Sequence, residues 1–120
     1  MGSLLVHVTH GPEAPTRAAL GRLVAKVAAE VGHNVTVFLA GDAAYIAKDE
    51  VIASLEGIGT GSMSDTFPSL VRANVPIFVS GMSSKARGVD EADLEGRGAE
   101  FATPAKLVEL TFEADRVLCY

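Results

Sequence analysis

The sequence predicts an α/β protein: a three-layer α/β/α sandwich on a five-stranded, mainly parallel sheet, forming one domain over residues 1–120. Three observations predict it. A strand, a helix and a second strand succeed one another between Leu4 and Ala40, and strands joined by a helical crossover pair in parallel. Each strand segment is apolar nearly throughout, as in strands buried on both faces. The alternation of apolar runs with helical stretches then continues to the last residue, the pattern of a sheet clothed by helices.

The elements follow in order. Leu4–Thr9 is a nearly unbroken apolar run ended by Gly11, Pro12 and Pro15, so it reads as a buried strand and a turn. Leu20, Leu23, Val24, Val27, Ala28 and Val31 recur at three-and-four spacing, with Arg17, Arg22, Lys26 and Glu30 off that stripe. They predict an amphipathic helix buried on the Leu/Val side and closed by Gly32. Asn34–Ala40 is the second strand; Asp42 then stands where it can cap a short helix over Ala43–Lys48. Gly57–Ser64 holds too many glycines and hydroxyls for a stable element and reads as an exposed loop. Ser64 or Asp65 caps a helix carrying Phe67, Leu70 and Val71, with Pro68 in its first turn. Val75–Ser80 is the third strand, followed by a short helix through Ser84–Arg87, an acidic turn Asp90–Asp93, and Ala99–Ala102 as the fourth. Thr103-Pro104 starts a helix whose buried side is Leu107, Val108 and Leu110. Asp115–Tyr120 closes the chain as the fifth.

Composition excludes several functions. A net charge of -5 with a pI near 5.1 and no basic cluster argues against nucleic-acid binding. Charged residues interrupt every apolar stretch too soon for a membrane span, and no signal peptide opens the chain, so a cytoplasmic protein is expected. The single cysteine, Cys119, rules out an internal disulfide or a multi-cysteine metal site, and no metal or cofactor is expected. High apolar content with few aromatics leaves apolar surface that one copy does not cover, which points to a homo-oligomer with Gly57–Ser64 or its neighbouring helix near an interface or a pocket rim.

In parallel sheets, ligands bind beyond the carboxyl ends of the strands. That edge carries Thr9-His10-Gly11, Gly41-Asp42 and Ser80-Gly81-Met82-Ser83-Ser84. Between Ile77 and Gly88 a strand runs through a glycine turn into a short helix, so backbone N–H groups converge near Ser80 and favour an anion. Lys85 and Arg87 add positive charge. The expected ligand-binding set is therefore Ser80, Gly81, Met82, Ser83, Ser84, Lys85, Arg87, His10, Gly11 and Asp42, for a small anionic or polar ligand. Arg87 has a second reading, as a brace pairing with Asp90 or Asp93. His10 sits at this edge and can hold an anion or move a proton, or face water; Asp42 can cap a helix or face the site. His7 and His33 read as structural, and Cys119, among Val117, Leu118 and Tyr120, as a buried or half-buried strand residue. No nucleophile elbow or phosphate loop is present.

The stretch of strand, polar residue, glycine, small residues and then Lys85-Ala86-Arg87-Gly88 resembles the DsrE/DsrF/DsrH-like family, with its TusD- and YchN-like branches. Gly11-Pro12-Glu13, Gly41-Asp42, the glycine-rich stretch and Ala114-Asp115-Arg116-Val117-Leu118 extend the resemblance over the whole chain. It implies a DsrEFH-like fold and a role in sulfur relay. It also implies a cysteine at the end of the third strand, seven residues before the arginine of the Arg-Gly pair, that carries sulfur as a persulfide. Here that position is Ser80. A serine hydroxyl titrates far above neutrality and forms no persulfide, so the expected role is an accessory or ligand-binding subunit with a sulfur-relay partner. A sulfur-relay or thiol-redox enzyme using Cys119, and a purely structural oligomer subunit, are the alternatives.

Overall fold

The computed structural model describes residues 2–120. Its central sheet holds five strands, all parallel: β1 (Ser3–Val8), β2 (Asn34–Leu39), β5 (Ile77–Ser80), β6 (Ala99–Ala102) and β7 (Arg116–Cys119), in the order β6-β5-β2-β1-β7. The helices are α1 (Pro15–Glu30), α2 (Asp49–Ser54), α3 (Thr66–Arg72), α4 (Gly81–Ala86), α5 (Glu91–Leu94) and α6 (Pro104–Glu113). The chain steps from β1 through β2 and β5 to β6 in one direction, so right-handed crossovers put the first connections on one face. It then returns from β6 to β7 across the whole sheet, which puts α6 on the other.

The two faces are filled unequally. Val6, Val8, Val35, Val37, Leu39, Ile77 and Val79 point to the side of α1, α3 and α5 and form one buried core with Ala18, Ala25, Phe67, Leu70 and Leu94. Leu5, His7, Phe38 and Phe78 alternate with them and face α6, the only helix there among the described residues. No residue of α6 or β7 is buried.

Several details correct the sequence reading. Helix α1 buries Ala18, Gly21, Arg22, Ala25 and Ala28, while Val27 and Val31 are exposed. The small residues let the helix sit so close to β1 that a Cβ on Gly21 would lie 2.7 Å from Val8 Cγ2; the Leu/Val stripe is too bulky for that approach. Arg22, placed off the stripe, is buried because its guanidinium reaches the Ser62 carbonyl and Asp65. Gly57–Ser64 is not a plain exposed loop. It holds the hairpin β3 (Glu56–Gly57) and β4 (Gly61–Ser62), with Met63 turned into the core and Ile58 exposed at its tip. Asp65 stands at the start of α3 without capping it, and α2 follows a 3-10 segment, Gly41–Ala47, where a single short helix was expected. On α6, Val108 faces solvent and Lys106, Leu107 and Leu110 are no more than half-buried, because α6 cannot cover its whole face. Gly32 closes α1 as expected: its φ is +98°, and His33 N–H reaches the Ala28 carbonyl.

Candidate functional site

The carboxyl ends of β1, β2 and β5 meet where the sequence placed them. Gly11 packs so tightly on the Asp42 backbone carbonyl that a side chain there would collide with it. Gly41 adopts φ +57°, a left-handed turn that glycine takes without strain, and its N–H donates to Ser83 Oγ at 2.8 Å. These contacts lock the turns after β1 and β2 to the first turn of α4.

Ser80 ends β5 and caps α4, its Oγ accepting from Ser83 N–H at 3.2 Å. Both hydroxyls are therefore engaged in holding the corner. Ser84 is fully buried with no partner for its Oγ, Met82 is exposed, and Lys85 is exposed and unpaired among the described residues.

Arg87 is the hub. Its Nε donates to Asp42 Oδ1 at 3.1 Å, its Nη2 lies 3.0 Å from the same oxygen, and its Nη1 donates to the Ser83 carbonyl at 3.1 Å. The Tyr45 ring lies 5.8 Å from the guanidinium carbon. Of the two readings of Arg87 the structure brings out the brace, with Asp42 as partner; Asp93 instead pairs with Lys48 and closes the α5 capping box with Asp90. Asp42 does not cap a helix, because it lies inside the 3-10 segment and turns to Arg87.

On the β1 side, His10 Nδ1 lies 2.8 Å from Glu13 Oε2, and Gly11 N–H donates to Glu13 Oε1 at 2.6 Å. Burial pushes the Glu13 carboxyl up, but the bonds from Gly11 and His10 outweigh it and leave the group below its ordinary range. Glu13 and Tyr45 were missed as site residues. Glu13 had a signal, two positions after a turn glycine; Tyr45 had none, since only the path of the 3-10 segment brings it to Arg87.

The register His7↔Cys119 between β1 and β7 creates a second polar spot at the same end of the sheet, on the α6 face. Cys119 is exposed, where a buried or half-buried residue was expected, because β7 is an edge strand with little above it. Its Sγ lies 3.9 Å from His7 Nδ1. The His7 ring stands edge-on to Phe38, its Nε2 is buried without a partner, and burial lowers its pKa. His33 is exposed and its Nδ1 accepts from Gly2 N–H.

The chain matches the model of the DsrE/DsrF-like family over residues 2–120. It belongs to the DsrE/DsrF-like family. Solved structures agree in fold with this family member. The ychN protein from E. coli superposes with a TM-score of 0.81 at 20% identity, covering 100% of both chains. A conserved protein of unknown function from Bacteroides thetaiotaomicron, BT1422, superposes with a TM-score of 0.70 at 12% identity, over 98% of this chain and 94% of its own. No curated protein matches significantly. No helix among the described residues is long and apolar enough to cross a membrane.

Proposed function

We propose that this DsrE/DsrF-like protein is an accessory subunit in sulfur metabolism that binds a small anionic or polar ligand at the β5–α4 corner and carries no sulfur there. The observation behind this reading is Ser80. It occupies the position that the resemblance assigns to the relay cysteine, and its hydroxyl is spent on capping α4. The first N–H groups of a helix lack intrahelical acceptors. Ser80 takes that of Ser83, which leaves those of Gly81 and Met82 for a ligand, while Lys85 stands exposed in the last turn of the same helix. Arg87, held by Asp42, keeps the corner in shape and contributes little net charge.

The protein works as a homo-oligomer with a sulfur-relay protein as partner, in the cytoplasm, where a single free thiol stays reduced. Exposed apolar side chains support the assembly: Ile58 at the hairpin tip, Met82 beside the corner, and Phe112, which is 86% exposed on α6. Light scattering at micromolar concentration should return a multiple of 12.5 kDa, and the monomer mass would count against assembly.

Melting curves with and without sulfate or phosphate test the ligand reading. A rise in melting temperature that shrinks as inert salt is added supports it, because bound ligand stabilises the folded state and part of its attraction is screened. If no anion shifts the melt, the purely structural subunit is the better account.

A second reading rests on Cys119, which is exposed and lies beside an imidazole. An exposed thiol is accessible to a sulfane-sulfur donor. Loss of a labile one-sulfur mass gain in Cys119→Ser is its test.

A further inference from the structure

The two edges of the sheet differ in what borders them. Along β6 runs a cavity of about 550 Å³ with Leu94, Ala99 and Phe101 among its apolar lining and Glu91, Glu95 and Glu100 as its carboxylates. Ala99 and Phe101 pair with Ile77 and Val79, which point to the core face, whereas Glu100 pairs with Phe78, which points to the α6 face. A cavity lined from both faces passes along the free edge of the strand itself.

The main chain at that edge is open. Gly98 presents its carbonyl to Ile77 N–H, so alternate residues along the strand turn their peptide groups towards β5. The N–H and C=O groups of Ala99 and Phe101 therefore point outward, and among the described residues β6 has no strand on that side. An edge of this kind accepts another extended segment by main-chain pairing. The three glutamates are exposed, and none has a cation within 4 Å among the described residues. Their charge excludes polyanions and acidic chains and favours lysine or arginine side chains alternating along an added strand.

We propose that the β6 edge is a docking groove for an extended basic segment of a partner protein. The segment adds as a sixth strand beside β6. Its apolar side chains rest on Leu94 and Phe101 on the core face, its alternating cations meet Glu100 on the α6 face, and Glu91 and Glu95 add negative charge beside the groove. This surface is separate from the β5–α4 corner, and the proposal stands whether or not that corner holds an anion.

The test uses the full chain, isotope-labelled, with an acetylated and amidated octapeptide of alternating lysine and valine as the probe. The expected result is saturable binding that slows exchange of the Ala99 and Phe101 amides about ten-fold or more. Affinity should fall about ten-fold or more between 0.05 and 0.5 M salt, and by a similar factor in E91Q/E95Q/E100Q. The glutamines keep side-chain size, and the variant's melting curve verifies folding. Binding that the triple variant retains, protection confined to other segments such as Arg116–Cys119, equal binding of a glutamate–valine peptide, or no binding by the wild type at millimolar peptide would each overturn the proposal.

Discussion

The Ser80 corner and the Cys119 corner lie at the same end of one sheet and are built oppositely. At Ser80 every polar side chain but Lys85 and the buried Ser84 has a protein partner: Ser80 holds Ser83, Ser83 holds Gly41, and Arg87 holds Asp42 and the Ser83 carbonyl. At Cys119 a thiol lies exposed, the imidazole beside it has a nitrogen with no partner, and α6 leaves the surface incomplete. The first corner is preorganised but has no nucleophile; the second has the nucleophile but little to position a substrate. Preorganisation without a nucleophile suits binding, and the contrast indicates where sulfur chemistry would have to be restored or lost.

The largest expected effect follows directly. After treatment with a sulfane-sulfur donor, the wild type should show no sulfur gain on intact mass, while Ser80→Cys should gain one sulfur. A thiol there would sit at a helix start, where the thiolate is favoured. A labile gain by the wild type that disappears in Cys119→Ser would reverse the assignment of the two corners. If Ser80→Cys stays unmodified while correctly folded, the corner is not the family's sulfur-carrying geometry.

A smaller effect separates bracing from binding. Arg87→Ala removes three polar contacts from a partly buried guanidinium and should destabilise the fold by about 1–2 kcal/mol, since bonds to charged groups are worth roughly that each but Asp42 stays partly solvated. Anion affinity should change less than about three-fold, an effect well under 1 kcal/mol. Denaturant curves and anion titrations on the same variant distinguish the two roles. Unchanged stability with lost affinity would place the guanidinium on the ligand.

How legible these corners were in the sequence depended on the range of the forces that form them. Strands such as Ala99–Ala102, the Thr103-Pro104 helix start and the Gly32 stop were readable because they depend on adjacent residues. The convergence of Gly11, Gly41, Asp42 and Ser80 was readable because parallel topology forces it. The pairings within it were not. Arg87 and Asp42 are 45 residues apart, and Asp90 was nearer in sequence but is occupied with the start of α5. His7 and Cys119 are 112 apart and meet only through the β1–β7 register. The burial of α1 misled for a different reason: hydropathy favours its Leu/Val stripe, whereas the distance of closest approach to β1 favours the Ala/Gly stripe.

The smallest expected effect is on pH dependence, and the corners should respond in different windows. Burial lowers the His7 pKa in the folded state, so the unfolded chain binds more protons below about pH 6.5 and stability falls as pH drops through that value. Glu13 behaves differently: its folded pKa is depressed, so its contribution is complete above the ordinary carboxylate value of about 4.3 and is lost as pH falls below it. Melting temperature against pH should therefore decline in two stages, the upper from the Cys119 corner and the lower from the His10–Glu13 side of the Ser80 corner. His7→Gln should flatten the upper stage and leave the lower, and Glu13→Gln should reduce the lower alone. An upper stage that persists in His7→Gln would mean that the imidazole beside Cys119 is solvated well enough to protonate freely, and would remove the physical distinction between the corners on that side.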